Sequence, residues 1–67
     1  MPRLPGSAQF VMYVGDYDAN WHWRLLAKNG KTVADSGEGY ASRAACRAAI
    51  VRVKRLVRIA RVTVVTE

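Results

Sequence analysis

The sequence predicts an α+β fold: three antiparallel strands, a helix packed on one face of their sheet, and a last strand after the helix, in the order β-β-β-α-β. Three observations predict it. The alternating run Trp21-His22-Trp23-Arg24-Leu25-Leu26 is followed closely by Asn29-Gly30, the strongest short-range sign of a tight hairpin. The stretch from Ala41 is rich in helix formers and repeats apolar residues at helical spacing. Arg61-Val62-Thr63-Val64-Val65-Thr66 is almost pure β-former.

The first strand spans residues 9–14, where Phe10 to Val14 are apolar on both faces, aromatic and β-branched, and followed by a turn. Gly15-Asp16-Tyr17-Asp18-Ala19-Asn20 reads as its hairpin loop. In the second strand Trp21, Trp23 and Leu25 point one way, and His22, Arg24 and Leu26 the other, because side chains alternate across a strand. Lys28-Asn29-Gly30-Lys31 then predicts a two-residue type I′ reversal into a third strand over Thr32 to Asp35. Ser36-Gly37-Glu38-Gly39-Tyr40 is too glycine-rich to continue that strand. As a phosphate cradle it lacks a Lys-Ser/Thr ending, and Glu38 would repel the anion, so it reads as a conformational loop anchored by Tyr40.

Ser42 is a good N-cap for the helix. Cys46, Ala49, Ile50, Val53, Leu56 and Val57 form its expected core stripe, and Arg43, Arg47, Lys54 and Arg58 fall on another side. No glycine or proline marks the exit, and the helix is expected to end near Leu56 to Arg58.

Composition bounds the function. Sixty-seven residues make one small domain with a marginal core, taken here as residues 9–67 behind a disordered tail over residues 1–8. Half the residues are hydrophobic, so the chain folds. One cysteine excludes an internal disulfide, and one histidine with one cysteine cannot make a structural zinc site, which takes four ligands. Self-association is the remaining route to extra burial. The start lacks the apolar run of a secretory leader, and no stretch approaches the roughly 18 residues of a membrane span; a cytoplasmic protein is expected.

Catalytic chemistry finds little support. Cys46 sits on the apolar helix stripe and His22 on the strand face away from the tryptophans. The acidic residues are dispersed, and Asp16 and Asp18 are explained by turn formation. Trp21 and Trp23 read as core under the helix, with Phe10, Met12 or Tyr13 as cross-strand partners. No catalytic, cofactor-binding or metal-binding residues are expected, and the chain is not expected to be an enzyme.

Phe10, Tyr13, Trp23-Arg24-Leu25, Ala27, Asn29-Gly30, Ser36-Gly37-Glu38-Gly39-Tyr40, Ser42, Ile50 and Val53-Lys54 occur in a spacing that resembles the YegP-like family of small uncharacterised bacterial and archaeal proteins. The resemblance covers residues 9–66. It implies a β3-α-β unit found as tandem repeats or as two subunits that share one sheet and exchange their C-terminal strands. With a single repeat, the implied state is a swapped homodimer. The chain departs from the family pattern over Leu56 to Arg61, which lacks a polar, proline-containing hinge. The family supplies no reaction and no catalytic residues. The residues themselves agree on self-association, because a bare last strand needs a sheet edge to pair with.

The net charge is +6, and the pI is near 10.3. Such a field attracts polyanions, although it also serves solubility. Arg24, Lys28, Arg43, Arg47, Lys54 and Arg58 are the candidate polyanion-binding residues, divided between an open sheet face, with His22 and Tyr13, and the outer helix surface. The expected function is that of a non-enzymatic homodimeric protein binding a macromolecular partner, an unidentified protein being one candidate. The alternative is a basic accessory protein associated with nucleic acid through phosphate contacts.

Overall fold

A computed structural model describes residues 7–66. Strand β1 spans Gln9–Val14, β2 Trp21–Leu26 and β3 Thr32–Asp35, and helix α1 spans Arg43–Ile59. The strands form one antiparallel sheet in the order β1-β2-β3. Of the tail expected over residues 1–8, only Ser7 and Ala8 lie within the described residues, and neither belongs to a strand or helix.

Register explains the two faces. Phe10 pairs with Leu25, Met12 with Trp23 and Val14 with Trp21, so these six side chains share the face that the helix covers. Tyr13 pairs with His22 and Val11 with Arg24 on the other face. Tyr13 is therefore not a core partner of the tryptophans. Phe10 fills that role, its ring edge-on to Trp23 at 5.4 Å between centroids and 74° between planes.

The reversal between β2 and β3 differs from the expected type I′ turn. A type I′ turn needs positive φ at both central residues, but in this reversal only Gly30 has it, at 89°. Gly30 N–H donates to the Ala27 carbonyl at 2.8 Å, and Ala27 N–H donates to Lys31 at 2.8 Å. The loop is thus Lys28-Asn29-Gly30, a tight turn followed by a left-handed glycine, with a register shift between Leu25 and Leu26. Asn29 serves through its side chain, whose Oδ1 accepts from Lys31 N–H at 3.1 Å.

The glycine-rich loop behaves as a conformational connector. Ser36 N–H donates to the Trp23 carbonyl at 2.9 Å, and Tyr40 exchanges two backbone bonds with Trp21 at 2.7 and 2.8 Å. Residues 37–39 bulge between these two anchors, braced by the Ser36 hydroxyl donating to the Glu38 carbonyl at 2.8 Å. The chain so returned enters α1 at Ser42, whose extended backbone and hydroxyl, accepting from Ala45 N–H at 3.0 Å, cap the helix.

The helix ends at Ile59, one residue past the expected range, and Ala60 turns to extended geometry. Its expected core stripe divides. Cys46 is fully buried, Ala49, Ile50 and Val53 are half-buried, but Leu56 and Val57 remain 54% and 67% exposed. The cause is length. Seventeen residues extend for about 25 Å, the helix makes its main contacts with β1 and β2, and β3 has only four residues. The second half of the helix therefore overhangs apolar surface that nothing in the chain covers.

The expected last strand is not formed within the chain: residues 60–66 follow the helix without strand pairing. Val62, Val64 and Val65 are 95%, 80% and 81% exposed.

Substitutions at two positions test the fold. Gly30→Val places a β-branched residue at positive φ and is expected to cost about 1–2 kcal/mol in urea unfolding, with Gly30→Asn milder; equal stability of all three would contradict the left-handed turn. Trp23 is 5% exposed and its indole N–H has no hydrogen-bond partner. Trp23→Ala should then cost about 3–5 kcal/mol, but Trp23→Phe far less, because it removes the orphaned donor along with some volume.

Candidate functional site

Three surfaces merit functional interpretation. The first is an apolar groove of about 490 Å³ beneath the overhanging helix. Phe10, Trp23, Leu25 and Ala34 form its sheet side, Val53 and Val57 its helix side, and Lys54, Arg55 and Arg58 also line it. The groove exists because Val57 lies on the same helix side as Cys46, about 20° away at 3.6 residues per turn, yet stands off from the sheet and stays 67% exposed.

The second surface is the sheet face away from the helix. Tyr13 and His22 stack with centroids 5.5 Å apart and planes 21° apart. The Arg24 guanidinium lies 4.3 Å from the centre of the Tyr13 ring. His22 Nε2 meets Asp18 Oδ2 at 3.0 Å, joining the strand to the β1–β2 loop. Asp18 also caps its own turn, its Oδ1 accepting from Asn20 N–H at 3.0 Å. That backbone bond is the first cause of a lowered Asp18 pKa; burial opposes it and His22 reinforces it. Gly15 leaves room for this contact, since a Cβ there would displace the Asp18 carboxylate and the His22 ring.

The third surface is the exposed side of α1. Arg43, Arg47, Arg52, Lys54, Arg55 and Arg58 are all exposed, and the helix contains no acidic residue.

The structure thus separates the six candidate polyanion residues. Arg43, Arg47, Lys54 and Arg58 stand together on the helix. Arg24 is on the opposite side of the sheet against Tyr13, and Lys28 lies in the β2–β3 turn. Arg52 and Arg55 were missing from that set, although their place in an acid-free helix was readable. The Asp18–His22 contact was not readable, because it depends on how the loop folds back.

Among the described residues no cluster of His, Cys, Asp and Glu could hold a metal ion, and no helix is long and apolar enough to cross a membrane. Cys46 is buried, which raises its thiol pKa, and His22 lies across the sheet from it.

Residues 16–63 match the family described as "Domain of unknown function (DUF1508)". The chain belongs to this family. No curated protein matches it. It is similar to a protein from Haloferax volcanii with an NMR solution structure, at 40% identity and a TM-score of 0.79, over 90% of this chain and 98% of that one. The likeness supports the α+β architecture and states no activity.

The loop cluster carries a pH prediction. A carboxyl whose pKa falls on folding stabilises the native state above its ordinary value, 3.8 for Asp18, and this contribution is lost as pH falls through the lowered value. Wild type should therefore melt above Asp18→Asn at neutral pH, and the gap should close in acid below that value. A gap independent of pH would show that the charge contributes nothing.

Proposed function

We propose that this family member is a single-repeat, YegP-like unit acting as a non-enzymatic homodimeric module in the cytosol. Each chain completes its partner's sheet with the segment 61–66, and the finished dimer works by binding a macromolecular partner. One observation carries the reading: an exposed run of β-formers, Val62, Val64 and Val65 among them, follows a helix that overhangs an open apolar groove.

Complementarity supports it. The free edge of β3 adjoins the groove through Ala34. A second copy's tail paired there would set Val62 and Val64 on one side of the new strand and Val65 on the other. Burying each valine contributes about 1.5 kcal/mol or more. Exchange of identical segments closes a two-fold pair without leaving the strand as a template for aggregation. The unpaired Cys46 fits a reducing compartment.

Light scattering coupled to size exclusion tests the reading. The full chain should have twice its 7.4 kDa mass at micromolar concentration. Val62→Asp/Val64→Asp, or truncation before Val62, should abolish the dimer and yield unfolded or aggregated protein. A folded, soluble monomer of the full chain would end the proposal, as would a truncated chain that remains a folded dimer.

A further inference from the structure

We infer that α1 is a binding face for the phosphate backbone of duplex nucleic acid, with Arg47, Arg52, Arg55 and Arg58 at its centre. Seventeen helical residues carry six cations and no carboxylate. Measured around the axis from buried Cys46, those cations lie between about 60° and 180° away. They occupy the side that the sheet does not cover.

Apart from Arg58 in the last turn, where the dipole favours a cation, this arrangement opposes the helix's own stability. Arg43 and Arg47, like Lys54 and Arg58, are like charges four residues apart, a spacing that destabilises an isolated helix. Arg43 stands in the first turn, where the helix dipole disfavours a cation, and no acidic residue accompanies it there. The one close contact of a carboxylate with a basic side chain among the described residues is Asp18 with His22, on the far side of the sheet. A chain using arginine only for solubility would gain by interspersing carboxylates on this face. Here the countercharge must come from outside.

The residue types select the ligand. From Arg43 to Arg58 the axial distance is about 22 Å, and a duplex presents one charge per roughly 1.7 Å of its axis. The helix contains no aromatic residue to stack on bases and no asparagine or glutamine to read adenine edges. Tyr13 and His22 face each other on the opposite sheet face, with Arg24 against the tyrosine, so they offer no stacking platform beside these cations. Such a face is directed at phosphates and binds duplexes tolerantly of sequence, arginine at guanine edges being its one route to base readout.

The inference does not rest on strand exchange: Arg55 and Arg58 also line the groove, but Arg47 and Arg52, the two residues reversed in the test, lie outside it. The test is fluorescence anisotropy of a labelled 20-base-pair duplex of arbitrary sequence with the full chain, titrated with salt. Affinity should fall linearly on logarithmic axes, by a slope of about 0.9 for each phosphate engaged. At low salt Arg47→Glu/Arg52→Glu should lose at least about tenfold, and Arg47→Lys/Arg52→Lys should keep most of the affinity and the slope. Circular dichroism verifies that both variants stay folded. Arg24→Glu and Arg52→Glu change the net charge equally, and only the second should weaken binding appreciably. No binding at low salt, equal losses from those two single variants, or binding to phosphatidylglycerol vesicles without binding to the duplex would each overturn the inference.

Discussion

Trp23 organises the packing. Its backbone joins all three strands: it lies opposite Met12 in β1, and its carbonyl accepts from Ser36 just after β3. Its ring meets Phe10 edge-on and lies on the sheet face that α1 covers. Besides Trp23, only Cys46 is buried among the described apolar residues. A two-residue core is too small for a chain whose remaining apolar side chains are half-buried or exposed, and the unpartnered indole N–H weakens it further. The geometry around this ring therefore sets how much stability must come from elsewhere.

That shortage has a location. The helix is seated firmly at its capped start, where Ser42 follows the Tyr40–Trp21 bridge closely, and loses cover towards its end. Exposure rises from Cys46 at 0% to Leu56 at 54% and Ile59 at 77%, and continues into the tail valines. Groove and tail are thus both apolar surface that the single chain leaves open. The proposed exchange brings them together between copies, so that one contact accounts for both the long helix and the unpaired tail.

Local chemistry made most of the fold legible. Strand β2 announced itself by alternation, and Ser42 by its place before a helical run. The faces of His22, Arg24, Trp21 and Trp23 followed from a period of two. The Asn-Gly pair located the second reversal but not its type, because an added loop residue and a single left-handed glycine serve the strand twist as well as a type I′ pair. Periodicity also put Leu56 and Val57 on the inner helix side without revealing that both stay exposed. Sequence spacing reports direction and says nothing of what lies there. The division of the basic residues between the open sheet face and the outer helix surface was legible from the same periods, although Lys28 proves to lie in the β2–β3 turn.

The two proposed interactions draw on one helix and share Arg55 and Arg58 at the groove rim. Its inner side, centred on Cys46 and Val57, is apolar; its outer side, centred on Arg55, is cationic. Lys54 and Arg58 stand between them, their aliphatic stems suited to cover the groove while their charged ends stay in water. Repulsion among the six cations acts along the whole helix, whereas stabilisation by packing acts mainly on its first half. The unsupported second half is where that repulsion is least opposed. Burial of Val57 against a second copy would secure this half from inside, and phosphate countercharge would relieve it from outside. The two events act on one element, so each favours the helical state that the other requires, and binding of either partner should strengthen binding of the other.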